Sequence, residues 1–425
     1  MKRIAIFIIA AALFAIQAGS PGLTPGAPGA AGMSPERLLP IRPMVEKHIA
    51  DNDFPGMVGI IARQGKIVYY ETFGQADKES GKPMRKDAIF RIYSMTKAIT
   101  GVAVMTLYEE GRFSLTDPVS NYLPEFKDMK VAVEKTDAGG ARTMYTVPAE
   151  RPITIRDLLR HTSGLSYAGP KDEKGDLIYQ KLGVQGAARD GIKLDELVRR
   201  LASAPLMDQP GTTFRYGMSI DVLGRLVEVV SGKPLDQFFA ERIFQPLHME
   251  DTGFFVPESK WSRLAALYER NPDGKTIVAK DEQQREGYKH KPDAFMGGAG
   301  LASTAMDYLR FIQMLLNGGE LDGARILSPK SVQLMSADHL GDMPRIANMP
   351  SPGYGFGLTF AVNLGPGKTG QIGSAGEYNW GGAAGTSFWI DPAEKLVGVF
   401  MIQRFSDTSG AAGQFKRLAY AAIVE

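Results

Sequence analysis

Met57-Val58-Gly59-Ile60-Ile61-Ala62, a turn at Gln64-Gly65, then Lys66-Ile67-Val68-Tyr69-Tyr70 reads as two strands rich in β-branched and aromatic residues around a glycine-bearing turn. A turn this short joins antiparallel neighbours. Strand character returns far along the chain, at Gly355 to Asn363, Thr386 to Ile390 and Leu396 to Gln403, and a helix follows from about Ala411. Between these ends, from Ile153 to about Glu282, helical spacing dominates, notably over Ile155 to Arg160, Leu194 to Ala202 and Ile220 to Ser231. The expected fold is therefore α/β (α+β), an antiparallel sheet flanked by helices, with a mainly helical domain inserted. The boundaries read as 36–115 and 290–425 for the mixed domain and 116–289 for the helical one, with a surface β-hairpin at 129–147.

Working back from the first hairpin, Leu38 to Ala50 has helical spacing, and residues 19–35 are dominated by Gly, Pro and Ala near their start, a composition that predicts a flexible spacer. Before it, Lys2-Arg3, an apolar run from Ile4 to Ile16 and a small-residue boundary near Ala18-Gly19-Ser20 match a secretory signal peptide over residues 1–18. The run is too short to span a bilayer comfortably, so no stable membrane insertion is expected after cleavage, and the localisation expected is periplasmic or secreted. Lys2 and Arg3 also account for the formal net charge of +2. The rest is close to neutral and has no basic stripe, which argues against a nucleic-acid partner.

The chain has no cysteine, which excludes a thiol nucleophile, a disulfide and a thiolate metal site. Five histidines, at 48, 161, 248, 290 and 339, show no HExxH or comparable spacing, so neither a metal nor another cofactor is expected. Chemistry must then come from ordinary side chains. Ser94-Met95-Thr96-Lys97 opens a run to Glu110 that is apolar nearly all round, the signature of a buried helix. A spacing of three puts hydroxyl and amine on one helical face. A lysine in apolar surroundings is expected to have a lowered pKa and so to serve as the base that activates the serine, while the helix N-terminus offers N–H groups to an oxyanion. The alternative is a capping serine beside a solvated lysine.

Two further segments bear on that choice. Gly211 to Gly224 is a turn opening a helix, with Tyr216 just before the first turn, where a phenol can point into a cleft. Tyr378-Asn379-Trp380-Gly381-Gly382-Ala383-Ala384-Gly385-Thr386 precedes an apolar strand, and its glycines let a strand edge approach a substrate closely.

With Ile153 to Leu165 (Ile-Thr-Ile-Arg-Asp-Leu-Leu-Arg-His-Thr-Ser-Gly-Leu) and Gly298-Ala299-Gly300-Leu301-Ala302-Ser303-Thr304 with Asp307, these segments make the chain resemble the serine β-lactamase and penicillin-binding-protein superfamily. The likeness is to its class C branch, and most of all to the family VIII carboxylesterases. The resemblance implies a β-lactamase/transpeptidase-like fold, an acyl-enzyme on Ser94, Lys97 as its activating partner and Tyr216 as the general-base tyrosine. It further implies an oxyanion hole from the N–H groups of Ser94 and Ala383, and a substrate-binding edge of Trp380, Gly381 and Gly382 in place of the Lys-Thr-Gly strand. Met218, standing where a Tyr-x-Asn motif carries its amide, is counted with the substrate-binding residues, and His161 has a structural place. Lys368-Thr369-Gly370 matches the three-letter motif but lies ten or more residues before the expected strand, so it is assigned to a loop.

Trp380 in place of the strand lysine removes a charge that would bind a carboxylate-bearing substrate, which favours an uncharged short-chain ester over a penicillin or a peptide C-terminus. The expected activity is that of a carboxylesterase, EC 3.1.1 type, with weak β-lactam hydrolysis as a side reaction. The rivals are a β-lactamase or D-amino-acid peptidase, and a non-catalytic protein binding cell-wall peptides. Hydrolysis and acyl transfer both remain open, because water and an alcohol compete for the same acyl-enzyme.

Overall fold

Every residue of the strand Gly56–Arg63 is buried, because helices cover the sheet on both faces. This computed structural model describes residues 22–136, 140, 142–167, 179, 182, 183, 190–279 and 281–425. The proposed signal peptide lies outside them. The main sheet is built from β1 (Thr24–Pro25), β2 (Gly56–Arg63), β3 (Lys66–Asp77), and, after an excursion, strands from the C-terminal third. The excursion carries a separate hairpin of β4 (Lys130–Thr136) and β5 (Arg142–Pro148). The sheet then resumes with β6 (Tyr354–Phe356), β7 (Ala361–Asn363), β8 (Tyr378–Gly381), β9 (Ser387–Asp391) and β10 (Leu396–Met401). Its order is β1-β3-β2-β10-β9-β8-β7-β6, antiparallel throughout except for β1 beside β3.

Alternation along the strands sorts side chains into two layers. Val58, Ile60 and Ala62 with Val397, Val399 and Met401 face one core, whereas Met57, Ile61, Leu396 and Phe400 face the other. The second layer is closed by α1 (Ile41–Ala50) and, from the chain's end, the helix Ala411–Ala421, which inserts Phe415 and Ala419. The first layer holds α2 (Thr96–Glu109), buried at every position from Thr96 to Leu107. The same hydrophobic cluster continues through α3 (Ile155–Leu159), α4 (Leu194–Ser203), α5 (Ser219–Ser231) and α6 (Ala305–Leu316). No helix among the described residues is long and apolar enough to cross a membrane.

Two expectations are corrected here. The stretch 22–35 is not a free spacer: Thr24–Pro25 pairs with Lys66–Ile67, Ala31 and Met33 are fully buried, and Arg63 donates to the carbonyls of Ala31 (2.8 Å) and Gly32 (2.9 Å). Glycine and alanine lack large apolar surface, but a strand edge and a buried guanidinium supply the partners that composition does not reveal. The run 355–363 is two strands, β6 and β7, because Thr359 adopts a left-handed φ of 79° and folds it into a hairpin. By contrast, Lys368-Thr369-Gly370 falls in a short exposed turn of helix, away from the strand that faces the serine.

Candidate active site

Ser94 lies in a tight 3-10 turn, Tyr93–Met95, that runs directly into α2. Tyr93 holds a positive φ of 42° immediately before it, a strained conformation kept in place by packing against Phe405 and Tyr288. One turn later Lys97 is fully buried, and its Nζ reaches three acceptors: Ser94 Oγ at 3.1 Å, Tyr167 OH at 3.0 Å and the Gly298 carbonyl at 2.6 Å. An ammonium has three N–H donors, and a carbonyl can only accept. The same Nζ lies 4.8 Å from the centre of the Tyr216 ring and 5.6 Å from that of Tyr167.

The expected low amine pKa is corrected by this environment. Burial alone would strip the proton from Lys97, but Tyr167, Tyr216 and Asp221 outweigh it and hold the group above the ordinary lysine range. Lys97 is therefore a cation at neutral pH, an electrostatic and hydrogen-bonding partner of Ser94 rather than a ready base. Burial also holds the Tyr167 phenol above its usual value against the pull of Lys97, so it rests protonated.

Tyr216 is brought to this cluster by His161, which grips its two neighbours. The His161 carbonyl accepts the Arg215 N–H at 2.8 Å, and its Nδ1 accepts the Gly217 N–H at 3.4 Å. Accepting at Nδ1 assigns the proton to Nε2. Burial and the Lys97 charge push His161 well below its ordinary pKa, so it stays neutral, and its ring supports Tyr216 at 4.7 Å. This is the structural place expected of it. The residues on either side of it, Arg160 and Thr162, are tied to the Asp157 carboxylate, which accepts from Arg151 (2.6 Å), Arg160 (3.2 Å), Thr154 Oγ1 (2.7 Å) and Thr162 Oγ1 (2.9 Å).

From the sheet, Trp380 Nε1–H donates to the Tyr216 oxygen at 3.3 Å, with the rings 5.3 Å apart. Beyond Trp380, Gly382 approaches the serine turn so closely that a Cβ there would stand 2.4 Å from the Ile92 carbonyl. Trp380, Gly381 and Gly382 are part-exposed, and Ala383 is exposed. Among the described residues no acceptor takes the N–H of Ser94 or of Ala383, which leaves both able to serve an oxyanion. Met218 departs from expectation: at the N-cap of α5 it is fully enclosed by the core, so it backs the site without presenting a side chain to substrate.

Tyr167 is the residue that sequence reading missed. It follows the Ile153 to Leu165 stretch by two positions, and its contact with Lys97 spans 70 residues, so no local period marks it. Among the described residues, no group of three or more histidines or acidic residues is placed to hold a metal ion.

Residues 41–423 match the family model named Beta-lactamase. An uncharacterized protein of Mycobacterium tuberculosis (strain CDC 1551 / Oshkosh) is 38% identical over 368 residues, 83% of this chain and 87% of that protein. Esterase EstB of Burkholderia gladioli is 35% identical over 356 residues, covering 80% of this chain and 83% of its own. Among solved structures, EstCE1, described as a hydrolase with promiscuous acyltransferase activity, superposes with a TM-score of 0.77 at 29% identity, covering 92% of this chain and 99% of its own. The chain belongs to the Beta-lactamase family, within the superfamily of serine β-lactamases and penicillin-binding proteins, and is a serine hydrolase.

Proposed function

We propose that the protein is a carboxylesterase that cleaves uncharged, short-chain esters through an acyl-enzyme on Ser94. The observation that carries this reading is the Trp380 indole hydrogen-bonded to Tyr216, at the strand position where a cation would favour a carboxylate-bearing substrate. The likeness to esterase EstB supports it. In the proposed cycle Tyr216 acts as phenolate: Ser94 Oγ attacks the ester carbonyl carbon as its proton passes to the Tyr216 oxygen, and the phenol so formed gives that proton to the departing alcohol oxygen. The Lys97 ammonium, donating to Ser94 Oγ and facing the Tyr216 ring, offsets the negative charge that develops between them. Charge on the carbonyl oxygen is met by the N–H groups of Ser94 and Ala383. Water then replaces the alcohol, and the same proton path runs in reverse to release the acid.

The Lys2-Arg3 and Ile4 to Ile16 pattern supports action in the periplasm or outside the cell. Activity on β-lactams enters the scheme as a slower side reaction of the same acylation. Comparing kcat/KM on p-nitrophenyl butyrate and on nitrocefin separates the readings: faster turnover of the butyrate is expected, and a large preference for the cephalosporin would overturn the esterase assignment.

A further inference from the structure

Asp221, in the first turn of α5, is buried next to the site yet has no part in the cycle above. Its Oδ1 accepts the N–H of Gly298 at 2.8 Å, and the carbonyl of that same Gly298 accepts a hydrogen bond from Lys97 Nζ at 2.6 Å. Its Oδ2 has no hydrogen-bond partner among the described residues. The carboxylate presses on the Gly298 Cα so closely that a Cβ there would lie 2.6 Å from Oδ2, which accounts for a glycine at 298. The 297–298 peptide is held from its other end as well, and the segment again further on: Thr100 Oγ1 donates to the Gly297 carbonyl at 2.7 Å, and the Leu301 N–H donates to Thr96 Oγ1 at 3.1 Å. The segment 297–301 is thus clamped between α2 and α5, with one residue, Gly298, turning the N–H on its one side to a buried anion and the carbonyl on its other side to a buried cation.

Taking as its basis the reading of Ser94 as nucleophile, we propose that Asp221 is a positioning residue: its charge keeps Lys97 an ammonium, and its hydrogen bond aims the Gly298 carbonyl so that the ammonium turns another N–H onto Ser94 Oγ. A helix-capping acid would not require a glycine against its carboxylate or a residue bonded in common with Lys97. The other groups facing the pair are Tyr167 and His161 from the segment after α3 and Tyr216 ahead of α5. Of these, Tyr167 rests protonated and the imidazole is uncharged, and Asp221 is the one carboxylate among the groups opposing the Lys97 charge. Burial lifts its carboxyl to about 6 against the pull of Lys97 and the Gly298 N–H, so above that pH it is ionised and paired.

Asp221→Asn keeps an oxygen for the Gly298 N–H and removes only the charge, whereas Asp221→Ala removes both. Loss of a nearby anion disfavours the cation, so the alkaline limb of kcat/KM should move to lower pH by about one unit or more in both variants. Above its shifted limb the Asn variant should lose about tenfold in kcat/KM per further pH unit until the wild-type limb is reached, with KM little changed. An Asn variant with the wild-type alkaline limb, beside an impaired Ala variant, would reduce Asp221 to a structural prop and sink the proposal. Should the variants not fold, the wild-type chain still answers: 15N NMR of lysine-labelled protein at pH 9 should show the Lys97 side chain as an ammonium, and a neutral amine would contradict the proposal. Labelling with a fluorophosphonate distinguishes the two levels. A label on Ser94 with an unshifted limb overturns the role of Asp221 alone, and an unlabelled Ser94 in wild-type protein overturns the nucleophile and this role together.

Discussion

Lys97 directs three N–H groups at three acceptors, and this residue-scale fact decides how the proton work is shared. With the amine charged, the oxygen that receives the serine proton must be a tyrosine's, acting as phenolate, and Tyr216 is the one held by both His161 and Trp380. Tyr216→Phe should therefore lower kcat by about 10²- to 10⁴-fold, the range of a lost general acid–base group. Tyr167→Phe removes one of three acceptors of Lys97 and leaves the proton path intact, so the loss should be nearer about tenfold. Steady-state kinetics on one ester compares the two, and equal losses would show that both phenols carry protons. Ser94, Lys97 and Tyr216 were legible in the sequence because the first two share a helical face and the third opens a helix. The charge state of Lys97 was not, since it depends on Asp221 and Tyr167, which come from distant segments.

At the scale of elements, the nucleophile turn and the end of β8 meet across a gap that admits only glycine at 382. Gly382→Ala should push β8 and the Ala383 N–H away from Ser94 and lower kcat/KM by about tenfold or more, because one oxyanion donor is misplaced. The thermal midpoint should fall modestly by comparison, since the sheet core lies elsewhere. A variant with normal kinetics would mean that β8 does not supply that donor. In the capping box of α3, Thr154 and Asp157 satisfy each other's N–H groups. Thr154→Ala should cost about 1 kcal/mol of stability in urea unfolding. Other elements were harder to read. The β6–β7 hairpin turns on a β-branched threonine in a left-handed conformation, which local propensity disfavours, and β1 exists only because the edge of β3 is there to receive it.

For the whole molecule, buried carboxyls set how stability responds to acid. In Asp157, burial raises the pKa, but Arg151 and Thr154 outweigh it and lower the group from 3.8 to about 2. Its contribution, about 2 kcal/mol, is present above pH 3.8 and lost as pH falls through 2. Asp221 and Asp307 run the other way: burial raises each to about 6, so their contribution is complete below 3.8 and lost as pH rises through 6. Urea midpoints should therefore rise from pH 7 to about 4 and fall from 4 to 2. Asp307→Asn should flatten the first slope and Asp157→Asn the second, and unchanged slopes would show that these groups do not govern the response. The antiparallel sheet was visible in the sequence, because its first strands are rich in β-branched and aromatic residues and joined by a short turn. The continuity of one hydrophobic cluster from the sheet through α2 into α5 was not, as it arises from packing between segments far apart in the chain.

The plainest check is rapid-quench intact-mass spectrometry of the protein mixed with p-nitrophenyl butyrate, followed by peptide mapping. A butyryl adduct on the peptide carrying Ser94, absent together with turnover in Ser94→Ala, is the expected result. Turnover that persists in Ser94→Ala, or an adduct on any other residue, would contradict it.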